Sequence, residues 1–425
     1  MSREHVELVM DIGGHEGPIQ LGTAFPTPTG RGSVRIAVEL GAAAVASAAG
    51  ATSAAKVLGT IDPDLRWHEG QHYAPAGVFG FLRDSSPDRW GRRLMDRRRA
   101  RERRLGVTSA PARLNEWDYL LGVDDRYRLG ALRLRRPDGQ WCMPPGEREA
   151  PPFIHLRRLQ QAAQRVEDDA GDDHPDEVDI LLQPGSSLGG ARPKATVVDP
   201  AGSLWIAKFP STSDTHDVGM WEVLTNGLAR SCGITAPEMR AVRVLEGHHI
   251  ALIQRFDRRP DGSRIHVASA MTMTGNVDGA GAASGAGYLD IAEALITYGA
   301  DPTACLQQLW RRIVFHMLVA NADDHLRNHA FLLRPGKGWL LAPAYDINPL
   351  PGATALSLNV SEAENAIDLD LALSVAEAFR IPHAEARKIM SDMRASVAQW
   401  RKLARHYQLS SAECDRMADA FHLAT

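Results

Sequence analysis

Asp323, Asn328 and Asp346 are the residues of this 425-residue sequence whose types and spacing most readily do chemistry. They stand at the two ends of ANADDHLRNHAFLLRPGKGWLLAPAYDINPL, residues 320–350, whose middle is apolar. HAFLLRP and GWLLAPAY read as strands, and PGKG between them reads as a turn. Asn328 and Asp346 are equidistant from Lys337, so an antiparallel hairpin would set this amide and this carboxylate side by side at its open end. Such a pair suits Mg2+, a hard cation that takes one or two protein oxygens together with substrate phosphates.

Asp323 lies five residues before Asn328, after the helical pattern of VFHMLVANADDH. The spacing D-x-x-x-x-N is that of a phosphoryl-transfer loop in which the aspartate orients an attacking hydroxyl and the asparagine holds metal. Asp324 does not fit that spacing. A metal hydrolase built on His316, Asp323, Asp324, His325 and His329 is the competing reading. His325 and His329 are four apart, which suits one helix face, but Asn328 opening a strand breaks that helix, and no further pair completes a two-metal set.

A second hairpin gathers positive charge. KATVVDPAGSLWIAKFP reads as two strands around the turn DPAG, and Lys194 and Lys208 are equidistant from Ala201. The preceding PGSSLGGARPK, rich in glycine and small polar residues, would let backbone N–H groups approach phosphates. Glu222 opens the next helical pattern, where a carboxylate could hold a phosphate-binding lysine or serve the helix dipole. RAVRVLEGHHIALIQRF is a third hairpin, running into Gln254, Arg255 and Phe256, where a nucleotide base would pack.

The elements that must position these groups read as α+β. HVELVMDI and SVRIAVEL alternate like strands, and the region from 364 onward is periodic and helical. WCMPPGEREAPPF is a linker, which divides the chain into expected domains at 1–145, 146–258 and 259–425. GNVDGAGAASGAGY reads as a mobile loop. VEDDAGDDHPDEVD is a solvated acidic run whose Gly171 stands one place early for a calcium loop. Nine arginines crowd positions 89–104, against Asp96 and Glu102, and read as a solvated helix face or as a contact surface for an acidic partner.

Composition narrows the classes. Net charge is -4, so no global field draws the chain to nucleic acid. Cys142, Cys232, Cys305 and Cys414 are scattered, without a CxxC pair, which argues against a zinc ribbon or a disulfide framework and fits a reducing, cytoplasmic compartment. No basic start with an apolar run marks a signal peptide, and the alanine-rich stretch near residue 45 is too weakly hydrophobic to span a membrane.

Taken in order, SSLGGARPKA, WIAKFP, WEVLTNGLAR, LIQRFDRR, NADDHLRN and AYDI resemble the HipA family, serine/threonine kinase toxins of type II toxin–antitoxin modules. GFLRDSSPDRWGRRLMDRR and LNEWDYLLGVDDRYRLGALRL are similar to that family's N-terminal domain. The resemblance implies a kinase-like two-lobe fold with ATP and Mg2+ as cofactors. It implies Asp323 as the catalytic aspartate and Asn328 and Asp346 as the metal ligands. Gly189, Gly190, Ala191, Arg192 and Lys194 would form the phosphate loop and Lys208 would meet the phosphates. Gln254 and Phe256 would flank the adenine, and Glu222, His325 and Tyr345 would complete the nucleotide site. Ser187, with Ser186 beside it, matches the serine such kinases autophosphorylate. The partners it implies are a helix-turn-helix antitoxin that binds operator DNA and a protein substrate such as an aminoacyl-tRNA synthetase. Two departures stand out: the segment after GSRIHVASA lacks a Gln-Glu-Asp signature, and Asp324 replaces a glycine, adding a charge beside Asp323. The alternative to an active kinase is a nucleotide-binding regulator that acts on operator DNA through the antitoxin.

Overall fold

The computed structural model describes residues 4–14, 17–30, 33–45, 54–111, 113–143, 150–168, 181 and 190–424. Ser186, Ser187 and Gly189 lie outside the described residues, as does most of the acidic run. The architecture is α+β, as expected. The chain divides into two compact units. One is Met1–Ser213 with Gln254–Ala268 and Leu332–Gly338; the other is Asp214–Ile253 with Ser269–Phe331 and Trp339–Thr425.

The first unit is built on a five-stranded antiparallel sheet. Strands β1 (Val6–Met10), β2 (Ile19–Pro28), β3 (Val34–Leu40), β4 (Gly70–Tyr73) and β5 (Leu132–Arg135) lie in the order β4-β3-β2-β1-β5. The alternating sequence gives it a buried face carrying Leu8, Met10, Ile36 and Val38. Helix α1 (Arg89–Arg104) buries only Trp90 and Leu94, and Asp88 caps it by accepting the Gly91 N–H at 2.8 Å. Its arginines are largely used within the chain: Arg92 grips Glu116 through two bonds of 2.6 and 2.8 Å, and Arg93 donates to the Val166 carbonyl. Strands β6 (Lys194–Val198) and β7 (Leu204–Lys208) pair in the register that equidistance from Ala201 demands, Lys194 opposite Lys208. The Asp199 carboxylate sets the turn by accepting the N–H groups of Ala201 and Ser203, each at 2.9 Å.

The second unit is mainly helical. It contains the hairpin of β8 (Met239–Val242) and β9 (Ile250–Gln254), of which Gln254 falls in the first unit, and helices α2 (Val218–Ser231), α3 (Tyr288–Tyr298) and α4 (Pro302–Leu318). Asp301 caps α4 and Pro302 starts it, and most of its length from Cys305 onward is buried. Trp221, Trp400 and Phe421 form an aromatic cluster, with Trp400 and Phe421 stacked at 4.4 Å.

The glycine-rich segment before α3 is pinned rather than mobile. Ala282 N–H donates to the Ser357 carbonyl at 2.8 Å, and Tyr288 N–H to the Asn359 carbonyl at 2.9 Å. A Cβ at Gly281 or Gly287 would stand 2.8 or 2.6 Å from those same carbonyl oxygens. The glycines are there because two backbones touch. All four cysteines are free and buried. Among the described residues no helix is long and apolar enough to cross a membrane.

Candidate active site

The stretch 320–350 begins where α4 ends. Ala320 takes a left-handed conformation with φ of 49°, and the Leu350 N–H returns to its carbonyl at 3.1 Å, closing the stretch on itself. Between these ends, the Asn328 Nδ2 donates to the Asp323 carbonyl at 3.0 Å, so the two residues are joined locally. The Asn328 Oδ1 is buried and has no hydrogen-bond partner among the described residues. A buried acceptor left unsatisfied costs roughly 1–3 kcal/mol, so an amide oxygen in this state is suited to a ligand.

Strands β10 (Ala330–Arg334) and β11 (Gly338–Leu341) form the expected hairpin, with one correction. The Ala342 N–H donates to the Ala330 carbonyl at 2.8 Å, which centres the ladder on Gly336 rather than Lys337. Gly336 and Gly338 both have positive φ, 69° and 108°, so the turn closes one residue earlier than equidistance assumed. Asn328 and Asp346 are therefore not cross-strand partners. The chain leaves the ladder before Asp346, and the Tyr345 hydroxyl donates to the Arg327 carbonyl at 2.7 Å, which ties the residues preceding Asp346 and Asn328 to each other. Thr225 of α2 donates to the Ile347 carbonyl at 2.6 Å, fixing the residue after Asp346.

Asp346 has φ of 60°, a conformation that aspartate tolerates but seldom takes, and such strain concentrates at functional sites. Asn348 donates to the Asp346 Oδ1 at 3.1 Å, while its own N–H goes to the Asn321 Oδ1 at 3.0 Å. Asn348 was not singled out from the sequence; its bond to Asp346 joins two side chains, which no turn signature marks. The Asp323 side chain reaches solvent, yet desolvation is the main cause raising its carboxyl above the ordinary value. The His325 ring opposes that shift, and the Asp346 and Asp324 charges add to it. Two carboxylates that repel, beside an unpartnered amide oxygen, make an arrangement that a hard divalent cation would relieve. Asn328 and Asp346 thus fit Mg2+ on the chemistry of their donors.

In the first unit, Lys194 has another engagement. Its ammonium is buried and lies 2.9 Å from the Asp88 Oδ2, and the Trp90 indole donates to its carbonyl at 3.0 Å. The ammonium sits 3.2 Å from where a Cβ at Gly190 would stand, and Gly190 has φ of 88°. Ala191 and Arg192 follow toward the hairpin, where the Phe209 N–H donates to the Pro193 carbonyl at 2.9 Å. Lys208 is half-buried at the far end of β7. Gln254 and Phe256 line a cavity of about 760 Å³ whose wall also carries Arg126, Arg258, Arg259 and Arg264. Between them, Arg255 is buried and bonded to Asp257, whose carboxyl, although burial raises it, is held far below the ordinary range by Arg255 and Arg258. Glu222 is buried within α2 of the second unit.

The architecture, α+β with antiparallel sheets, is of the kinase-like class. The family follows from comparison: residues 186–400, about half of the chain, match the HipA-like C-terminal domain, and the chain belongs to that family. It is similar over 99% of its length to 95% of a chain from the Shewanella oneidensis MR-1 toxin–antitoxin complex of HipA, HipB and its operator DNA, with a TM-score of 0.63 and 16% identity, which shows a shared fold. It is also 29% identical over 180 residues to a putative kinase, Y4dM, of Sinorhizobium fredii. That match covers 38% of this chain and spans 42% of the relative's length.

Proposed function

We propose that this chain transfers the γ-phosphoryl group of Mg-ATP to a serine or threonine of a protein, as the toxin of a type II toxin–antitoxin pair. The observation that carries the reading is the unpartnered, buried Asn328 Oδ1, on a residue joined to Asp323, whose carboxyl in turn feels the charge of the strained Asp346. Asp323 orients the attacking hydroxyl and takes its proton; a raised carboxyl is the better acceptor as long as it is ionised. Asn328 Oδ1 and the Asp346 carboxylate would hold Mg2+, which when bound neutralises charge developing on the transferred group. Lys208 meets the phosphates, Glu222 supplies the buried helix carboxylate, and Gln254 to Phe256 receive the adenine. Lys194, Gly190, Ala191 and Arg192 shape the end of the glycine segment, Lys194 through its bond to Asp88. His325 and Tyr345 frame the same stretch as Asp323 and Asp346. Ser187 or Ser186 is the proposed site of autophosphorylation.

The Shewanella complex contains HipB and operator DNA. By family likeness we assign this chain a helix-turn-helix antitoxin as partner, DNA through that partner, a translation component such as an aminoacyl-tRNA synthetase as substrate, and a cytoplasmic location. Phosphate mapping by mass spectrometry after incubation with Mg-ATP tests the reading, beside Asp323→Asn. Phosphate on Ser186, Ser187 or an added synthetase in the parent alone is the expected result. ATP binding with no transfer in either protein would favour the nucleotide-binding regulator instead.

A further inference from the structure

The aspartate after Asp323 turns the other way. Asp324 is 1% exposed, and a single oxygen, Oδ2, takes three donors. These are the Tyr288 hydroxyl at 2.5 Å, the His316 Nδ1 at 2.8 Å and the His329 Nε2 at 2.8 Å. Tyr288 is the first residue of α3, His316 lies in the last turn of α4, and His329 immediately precedes β10. The charge that the sequence adds beside Asp323 is therefore directed into the core.

His316, Asp324 and His329 bring ligand atoms within 4.8 Å of one another, which raises the question of a metal. A tetrahedral zinc with bonds of about 2.0–2.1 Å holds its ligand atoms roughly 3.3 Å apart. Both imidazole–carboxylate separations are 2.8 Å, the length of a hydrogen bond, and the tyrosine occupies the same oxygen. These atoms are spaced for protons. The outward nitrogens, His316 Nε2 and His329 Nδ1, are buried and have no partner among the described residues. Each ring thus directs one nitrogen to Asp324 and leaves the other without a partner, so Asp324 is what orients both rings.

What the network grips is the backbone on either side of the site. Asp323 and Asp324 are consecutive, and so are Asn328 and His329, with successive Cα atoms about 3.8 Å apart. Each proposed functional residue thus has its immediate neighbour fastened to one oxygen atom, and the Asn328 amide closes the loop onto the Asp323 carbonyl. We infer that Asp324 is a positioning residue, which through His329, His316 and Tyr288 sets the separation of Asp323 from Asn328. The inference rests on the site assignment proposed above and goes beyond it by naming what holds that site in register.

The test compares Asp324→Asn and Tyr288→Phe with the parent by Mn2+ binding (electron paramagnetic resonance), kcat and KM for ATP, and thermal denaturation. Asp324→Asn should weaken Mn2+ binding and lower kcat by about 10–100-fold each, the range typical of outer-shell partners, with KM for ATP within about twofold. Tyr288→Phe removes one donor of three and should shift both in the same direction by a few-fold; it decides the matter if Asp324→Asn does not fold. Folded variants that keep the parent's Mn2+ midpoint and kcat, with only a lower Tm, would make the network purely structural and overturn the inference. Stoichiometric zinc in the parent that is lost in Asp324→Asn would also overturn it. A parent that binds Mn2+ without transferring phosphate would refute the kinase reading while leaving the Mn2+ comparison decisive. A parent that binds no Mn2+ would remove the site and this inference together.

Discussion

Lys194 and Asp324 are buried charges at the foot of two candidate functional segments, and the protein neutralises them differently. Lys194 pairs with a full opposite charge, Asp88, at 2.9 Å. Asp324 is instead met on one oxygen by three side-chain donors, a tyrosine hydroxyl and two imidazoles. Burial alone would raise the Asp324 carboxyl, but the two imidazoles outweigh it and hold that carboxyl far below the ordinary range. Several donors aimed at one oxygen can replace water around a carboxylate, whereas a buried ion pair offsets one charge with another. The two arrangements should therefore fail in different ways.

The largest expected effect falls on rate. Asp323→Asn should lower phosphoryl transfer by about 10³-fold without lowering Tm, since this side chain reaches solvent. Radiolabel transfer and calorimetry on one preparation check both halves; a fall in Tm alongside the rate would place Asp323 in the structural class with Lys194. Next comes the ion pair. Lys194→Met removes the buried cationic partner of Asp88 and should cost about 3–5 kcal/mol by urea unfolding, with much of that recovered when Asp88→Asn is added. Losses that simply add in the double variant would mean that the pair does not act as a pair. A smaller effect separates the two neighbouring aspartates by pH. The depressed carboxyl of Asp324 contributes stability that is present above about pH 3.8 and lost as pH falls further. The raised carboxyl of Asp323 works in the opposite sense, its contribution being lost as pH rises through its folded value. Asp323→Asn should thus raise Tm slightly at pH 7 and leave it unchanged near pH 3, while Asp324→Asn should flatten the acid limb. Matching pH profiles for the two variants would contradict their opposite surroundings.

What could be read from the sequence follows the range of the interactions. The β6–β7 register was legible because Asp199 fixes its turn within four residues. The Asp323–Asn328 relation was legible for the same reason, a bond across five positions. The PGKG turn was misjudged by one residue because two glycines accept positive φ, and composition does not say which will. The glycine-rich segment was misread as loose because its partners, Ser357 and Asn359, are some 70 residues away. Asp88 and Lys194 are 106 residues apart, and no local pattern links a helix cap to a strand's first residue. Asp324 could be seen, but only the fold shows which way its carboxylate points.

The division of the chain carries one more consequence. The first unit needs residues as late as Leu332–Gly338, and the second starts at Asp214. Neither is a continuous piece of sequence. A ribosome that has delivered the first 213 residues has not yet delivered all the parts of the first unit, so its last segments dock only after most of the second has emerged. No single proteolytic cut or gene truncation yields either unit free of segments of the other, and the stretch 320–350 is completed only after the late segment has emerged.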